Sequence, residues 1–266
     1  MNVPAYYYAQ QGADYTLEQP ALGFRGWCET EVPIDPAHTA ILVMHAWDVP
    51  KTEGLYQHVE YIDRANRILK ERFPSFLQAV HKSGVRLIHV AAGFETALEG
   101  FPGYHRVRQE CPPERYETID DSPALQKLKI RHWRQTGAED QLHHKQIETG
   151  YANYGFAVEP LEHEDVVTTA NQLLYLCRKH KIEHLIYTGF AVNACLMLSP
   201  CGCLDMTRRG LMCSIVGDLT TAVENKESCS EQRNLEYGLW QFSVQGGFVF
   251  LSDTLIKHCL LPETML

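Results

Sequence analysis

The stretch Thr188–Pro200, TGFAVNACLMLSP, places a cysteine where a strand gives way to a helix. The apolar residues of EHLIYTG, at 183–189, predict a buried strand, and the residues after Cys195 predict a helix. Ligands of parallel α/β sheets bind at the carboxyl ends of the strands. Cys195 is therefore a candidate nucleophile, and a small buried residue in a tight corner is the alternative interpretation.

Strands and helices alternate on both sides of this stretch. Each predicted strand is a short apolar run of the kind that is buried on both faces of a sheet. In 60–84 the apolar positions recur at spacings of three and four, which predicts a helix restarted at Pro74 and ended by Gly84. The predicted strands lie at 39–45, 85–93, 164–169, 183–189, 210–218 and 246–252, and the further helices at 170–182 and 224–242. This order predicts an α/β fold, a three-layer Rossmann-like domain with a mostly parallel central sheet.

Domain boundaries follow from where this alternation is interrupted. Residues 1–37 are rich in Tyr, Gln, Gly and Pro and predict an N-terminal arm against the domain or a partner subunit. Residues 38–266 form a single predicted domain, with an insertion at about 94–161 where Pro, Gly, His and charged residues break the pattern. We expect the insertion to carry local helices and lid or oligomer contacts.

Composition limits the classes of partner. The chain of 266 residues has a formal net charge of −9 and no basic run, so it lacks a source of attraction for nucleic acid. No segment resembles a signal peptide or reaches about 18 uninterrupted apolar residues, which argues against a membrane span. The nine cysteines are scattered through predicted strands and helices, as expected of free thiols. We therefore expect a cytoplasmic protein without a nucleic-acid or membrane partner.

The sequence IEHLIYTGFAVNACLML, at 182–198, followed by GLMCSIVGDLTTA, at 210–222, resembles the isochorismatase-like cysteine hydrolases. Their pattern is a strand, a glycine, a short turn ending in Asn-x-Cys, a helix, and a strand ending in Asp. The resemblance extends from about Thr39 to Leu251. Within the superfamily it is closer to a subgroup with Met-Trp-Asp after the first strand and Pro-x-Gly after the nucleophile, through AWD at 46–48 and PCG at 200–202.

This resemblance implies an isochorismatase-like fold and a homodimer or homotetramer, and we expect no cofactor. It implies that Cys195 is the nucleophile and that a cis peptide bond joins Phe190 to Ala191. The backbone N–H groups at Ala191 and Cys195 are the expected oxyanion-hole donors. The implied reaction is hydrolysis of a small-molecule amide, ester or related bond through a thioester intermediate.

Two members of the family's triad of Asp, Lys and Cys are absent from this chain. His45 ends the first apolar strand where the Asp is expected, and Asp48 follows three residues later. No Lys occurs in 147–177, where the family Lys should lie. His163 or Glu162 is nearest to the vacant Lys position.

Three interpretations of the altered triad stay open. His45 acts as the base for Cys195, since imidazole suits proton transfer at neutral pH, with Asp48 orienting the ring and His163 as a further catalytic residue. Alternatively, the triad has decayed, and the fold keeps a pocket that binds a small ligand or a partner. A zinc site formed by His45, His163 and Cys195 ranks last, and we expect no metal.

The remaining candidates surround the predicted pocket or support it. Trp47, Asp48, Phe190 and Thr168 are candidate substrate-pocket residues at strand ends. Asn193 is interpreted as a helix cap.

Two further motifs near Cys195 are interpreted as structural. The resemblance implies that Asp218, at the end of a predicted strand, is mainly structural. Cys201 and Cys203, in CGC at 201–203, are interpreted as small buried residues rather than metal ligands, because they would point in different directions on one helix.

Overall fold

One mixed sheet organises the described residues, which are 1–46, 60–91, 98–114, 118–136 and 158–260 of this computed structural model. The strands are β1 (Asn2–Ala9), β2 (Gly26–Pro33), β3 (Thr39–Met44), β4 (Arg86–Val90), β5 (Asp165–Val167), β6 (His184–Gly189), β7 (Met212–Val216) and β8 (Val249–Phe250). The helices are α1 (Glu60–Glu71), α2 (Phe73–Ser83), α3 (Pro102–Glu110), α4 (Pro123–Thr136), α5 (Ala170–His180), α6 (Cys195–Leu198), α7 (Cys203–Arg208), α8 (Arg233–Gln245) and α9 (Ser252–Leu255).

Strand order confirms the predicted α/β architecture with a mostly parallel sheet. Across the sheet the order is β2-β1-β8-β7-β6-β3-β4-β5. Neighbours from β8 to β5 pair in parallel, whereas β1 pairs antiparallel with both β2 and β8. Parallel pairing brings the carboxyl ends of β3, β4, β5 and β6 to one edge of the sheet, which we call the carboxyl edge. The opposite edge is the amino edge.

Strand β3 shows why the sheet is covered on both faces. All six of its residues are buried. Leu42 and Met44 belong to an apolar cluster that contains residues of α5 and α7. Ile41 and Val43 belong to a second cluster, which contains residues of α1 and α2. Side chains alternate between the faces of a strand, so a run that is apolar throughout requires a layer of helices on each side.

The helical pair after β3 agrees with the sequence prediction. The predicted helix is interrupted before Phe73, and α2 begins with Pro74 in its first turn. Its apolar stripe buries Phe73, Phe76 and Val80 against the sheet. Gly84 ends α2 with φ of +75°, a left-handed conformation that glycine adopts without a steric penalty.

The predicted arm and insertion have defined elements in their described parts. Within 1–37, β1 and β2 form an antiparallel hairpin that extends the sheet beside β8, an arrangement that the sequence did not reveal. Within 94–161, the described elements are α3 and α4. No helix in the described ranges combines the length and apolar composition needed to cross a membrane.

Candidate active site

The carboxyl ends of β3 and β6 meet side by side at the carboxyl edge. Met44 pairs with Gly189, and the Phe190 N–H donates to the Met44 carbonyl oxygen at 3.1 Å. Gly189 has φ of +107°, and a Cβ atom there would lie 1.9 Å from that oxygen. Glycine is therefore required for the two strand ends to approach this closely. As a result, His45 and Phe190 leave the sheet from adjacent strands.

The turn between Phe190 and Cys195 is tied to the segment after β7. The Phe190–Ala191 peptide bond is cis, as the resemblance implies. The Val192 N–H donates to the Thr221 carbonyl oxygen at 2.8 Å. These features hold the start of the turn between the end of β6 and the loop after β7.

Asn193 ties the same turn to Val223 by two hydrogen bonds. Its Nδ2 donates to the Val223 carbonyl oxygen at 3.0 Å, and its Oδ1 accepts from the Val223 N–H at 2.9 Å. The residue before α6 is Ala194, and the helix start has no side-chain cap. The prediction that Asn193 caps a helix is therefore wrong, because its amide serves the neighbouring loop instead.

Cys195 carries a half-buried thiol that forms no disulfide. It begins α6, which ends after four residues at Leu198, and α7 starts separately at Cys203. The sequence predicts a longer helix, but Pro200 cannot continue one and Cys201 has a left-handed φ of +67°. The dipole of a single turn is small, so it favours a thiolate less than the predicted helix would.

Three backbone N–H groups of the turn have no partner within the described residues. They belong to Ala191, Asn193 and Cys195, whereas the N–H groups of Ala194 and Leu196 donate to the Ala191 carbonyl oxygen, each at 3.1 Å. Unpaired N–H groups in a rigid turn are what an oxyanion hole needs.

His45 occupies a backbone conformation that is uncommon for a residue with a side chain. Its φ is +52°, in the left-handed region, which costs about 1 kcal/mol for a non-glycine residue. Its N–H donates to the Val90 carbonyl oxygen at 3.1 Å. The ring is half-buried, and burial lowers the pKa of His45 to about 4. The imidazole is therefore neutral at pH 7 and able to accept a proton.

The other predicted pocket residues are found in different settings. Phe190 is half-buried and packs against Phe73, with ring centroids 6.2 Å apart. Thr168 follows β5 at the carboxyl edge, where its N–H and hydroxyl both donate to Gln172 Oε1, at 2.9 and 3.2 Å. The candidates at 47–48, Trp47 and Asp48, lie outside the described residues.

His163 is not brought near Cys195. It is exposed and precedes β5 at the amino edge, where its carbonyl oxygen accepts from Arg106 at 3.2 Å. Strands β4 and β3 separate β5 from β6, so three strand spacings, about 14 Å, lie between them. Glu162 is exposed at the same edge. The expected catalytic role of His163 therefore has no geometric support.

Glu164 is a buried ionic group at the amino edge that sequence reasoning did not predict. Its carboxylate accepts from His89 Nε2 at 2.9 Å, from His81 Nε2 at 2.7 Å and from the Leu161 N–H at 2.8 Å. Burial alone would raise the pKa of Glu164, but these hydrogen bonds lower it to about 2. A His on each of α2 and β4 with a Glu before β5 forms no recognisable spacing, which is why sequence reasoning missed the cluster.

Structural roles agree with expectation for Asp218 and the CGC cysteines. Asp218 accepts from Arg72 at 2.7 Å and from the N–H and hydroxyl of Ser252 at 2.8 and 2.6 Å. Cys201 and Cys203 are buried in the apolar core. Within the described ranges, no group of three His, Cys, Asp or Glu side chains could hold a metal ion.

The architecture is similar to that of solved structures. The chain is similar to a cysteine hydrolase from Pseudomonas syringae pv. phaseolicola 1448A, with a TM-score of 0.51 and 15% identity, covering 85% of this chain and 94% of that chain. The fold is isochorismatase-like. An isochorismatase-like hydrolase from Alkaliphilus metalliredigens is similar with a TM-score of 0.49 and 14% identity, covering 82% of this chain and 97% of that one. No protein-family model and no curated protein sequence matches the chain.

Proposed function

We propose that the protein is a cysteine-dependent hydrolase of a small-molecule amide, ester or related bond, with Cys195 as nucleophile and His45 as base. The observation that carries this proposal is the turn at 191–195, which holds a half-buried thiol and three N–H groups without a described partner. Strand β3, which His45 directly follows, is the neighbour of the strand that leads into this turn. The isochorismatase-like fold, shared with hydrolases, supports the same class of reaction.

The chemistry needs one proton carrier. As the Cys195 sulfur attacks the carbonyl carbon, His45 takes the thiol proton, and the negative carbonyl oxygen accepts hydrogen bonds from Ala191 and Cys195 N–H. Collapse of this intermediate breaks the bond to the leaving amine or alcohol, which takes the proton from His45. Water then attacks the thioester and gives a proton to His45. Release of the carboxylic acid returns that proton to the sulfur.

The lowered pKa of His45 determines the protonation states of His45 and Cys195 before the substrate reacts. Because burial disfavours the imidazolium form, a resting ion pair of imidazolium and thiolate is disfavoured. Proton transfer therefore accompanies the attack on the substrate instead of preceding it. Asp48 is the residue proposed to orient His45, and Trp47 and Phe190 are the proposed walls of the substrate pocket. Thr168 follows β5, three strand spacings from β6, and its hydroxyl donates to Gln172, so it is not included.

A catalytically silent protein that binds a small ligand is the second candidate. It is favoured by the same burial of His45, since an imidazole with a pKa of about 4 is a weak base at neutral pH. The two candidates differ in whether the Cys195 thiol reacts faster than an ordinary cysteine of the same chain.

Selective alkylation separates these candidates. Iodoacetamide labelling, mapped by mass spectrometry across pH 6–8, compares Cys195 with the half-buried Cys28 and Cys229 in one sample. The enzyme proposal expects labelling of Cys195 to be at least tenfold faster, because His45 also takes the thiol proton as the sulfur attacks iodoacetamide, and it expects His45→Ala to remove most of that advantage. Equal rates at the three cysteines would leave the silent protein as the better account.

A substrate screen tests the activity directly. Small amides and esters are incubated with the wild-type protein and with Cys195→Ser, and release of the carboxylic acid is followed. We expect turnover by the wild type alone.

Homo-oligomerisation as a dimer or tetramer is a further proposal, tested by light scattering against the chain mass of 30.3 kDa.

A further inference from the structure

A cavity lies at the amino edge, the edge opposite to the one that carries Cys195. Strand β1 pairs with β8 through Tyr6 and Val249 alone among the described residues, so the hairpin of β1 and β2 separates from the parallel strands. The space between them is a cavity of about 630 Å³. That volume falls within the range of small-molecule sites.

The cavity combines an apolar lining with two carboxylates. Its apolar contacts come from an aromatic ring on β1, a second ring before β8, a thioether and two aliphatic residues. They are Tyr7, Phe248, Met212, Val32 and Pro33. Glu31 from β2 and Glu183 before β6 supply the charge. Within the described residues, neither carboxylate has an ion pair or a side-chain hydrogen bond, so both remain available to a ligand.

No positive side chain among the lining residues balances these two charges. His184 also lines the cavity, but its Nε2 is 2.7 Å from Ser214 Oγ, and burial lowers its pKa to about 4. The ring is therefore neutral at pH 7. The Met1 ammonium lies beside the end of β2 and donates to the Ile34 carbonyl oxygen at 2.8 Å.

We propose that this cavity binds a small organic cation, of the class of aromatic or aliphatic primary amines. Glu31 and Glu183 attract the ammonium group, and the rings of Tyr7 and Phe248 line the same cavity, where an aromatic ring favours a cation over a neutral ligand. Met212 and Val32 cover the apolar part of the ligand. An inorganic cation would leave this apolar lining without a contact, which is why an organic one fits better.

Met212 provides a reporter inside the cavity. Its side chain is 39% exposed, so a bound ring changes the environment of its methyl group. The protein is labelled with 13C-methyl methionine, and Met212→Leu assigns the signal. Benzylamine, benzyl alcohol and benzoate are then titrated at pH 7, since they share a ring and differ in charge.

We expect benzylamine to shift the Met212 signal with saturation, benzyl alcohol to bind at least fivefold more weakly, and benzoate more weakly still. Glu31→Gln and Glu183→Gln should each weaken benzylamine binding two- to fivefold, and the double variant about tenfold. Both glutamates are exposed, so these variants keep the fold.

Glu29→Gln is the matched control, because Glu29 is exposed on the same strand two residues earlier and does not line the cavity. It should leave binding unchanged. The proposal is overturned if Met212 does not respond to benzylamine, if the three ligands bind equally, or if Glu29→Gln weakens binding as much as Glu31→Gln. Cys195→Ser should leave benzylamine binding intact, so this test is independent of the proposed hydrolase activity.

Discussion

The turn that carries Cys195 and the cluster around Glu164 differ in whether their polar groups are paired. At the carboxyl edge, the turn at 191–195 has a half-buried thiol and three N–H groups without described partners, and His45 adopts a left-handed backbone. At the amino edge, Glu164 is buried with its carboxylate held by two imidazoles and a backbone N–H. Satisfied polar groups stabilise a fold, whereas groups left open at a rigid turn can act on a ligand.

This contrast predicts that the carboxyl edge contributes reactivity and that the Glu164 cluster contributes stability. The largest expected effect is that of Cys195→Ser. If a substrate from the amide and ester screen is turned over, this variant should lose at least about a thousandfold in turnover, because serine lacks the acidity of a thiol. The free energy of unfolding, measured in urea, should change by less than about 0.5 kcal/mol, since the residue is half-buried and keeps its size. Retained turnover in the variant would remove Cys195 from the mechanism.

Glu164→Gln should give the next largest effect, and on stability. Removing a buried charge that accepts from two imidazoles should lower the free energy of unfolding by about 3 kcal/mol. The midpoint temperature of thermal unfolding should fall by about 10 °C for a chain of this size. Glu162→Gln is the matched control, because Glu162 is exposed two residues earlier. Equal stability of the two variants would mean that the cluster is not a source of stability.

Two buried histidines and Glu164 should make the free energy of unfolding depend on pH in the acid range. His184 and His45 have pKa values lowered by burial to about 4, so the unfolded chain binds protons below pH 6.5 that the folded chain does not. Stability is therefore lost as pH falls from about 6.5 towards 4. Glu164, with its pKa lowered to about 2, adds a second loss as pH falls from about 4.5 towards 2.

His184→Gln tests the upper of these two windows. In urea unfolding at pH 7 and pH 5, this variant should lose about 1–2 kcal/mol less on acidification than the wild type does. His258→Gln, at an exposed position, should behave as the wild type. An unchanged pH dependence in His184→Gln would show that burial of this imidazole is not felt in the folding equilibrium.

Asn193→Ala should have the smallest effect and sharpens the role of the turn. Loss of two hydrogen bonds to Val223 should cost about 1–2 kcal/mol of stability. If Cys195 is the nucleophile, turnover should also fall about tenfold, because the turn that carries it is less well held. Asn234→Ala is the control, since Asn234 Nδ2 donates to the same Val223 carbonyl oxygen and, among the described residues, Asn234 has no hydrogen bond to the turn. Equal losses of turnover in both variants would contradict the role of Asn193.

The local sequence pattern was sufficient to predict elements whose conformation depends on their own residues. The apolar run at 39–44 predicts a strand buried on both faces, and Pro74 and Gly84 predict where α2 begins and ends. The Gly189 to Cys195 spacing likewise predicts a corner at the end of β6. In each case the signal lies in neighbouring residues and their backbone preferences.

Distant residues decided what the sequence left open. The hairpin of β1 and β2 joins the sheet through β8, more than two hundred residues later, and Asn193 serves a loop thirty residues away instead of a helix. His163 falls nearest to the vacant Lys position of the resembled family, which predicts a place near Cys195, but a residue before a parallel strand lies at the amino edge.

By itself, the sequence determined the α/β alternation, the mostly parallel sheet and the corner that carries Cys195, because apolar periodicity, glycine and proline act over a few residues. Tertiary structure decided which polar groups meet across strands: the Glu164 cluster, the left-handed setting of His45 and the cavity beside Glu31. These depend on the order of strands in the sheet, which brings together residues far apart in the chain and sets how deeply each is buried.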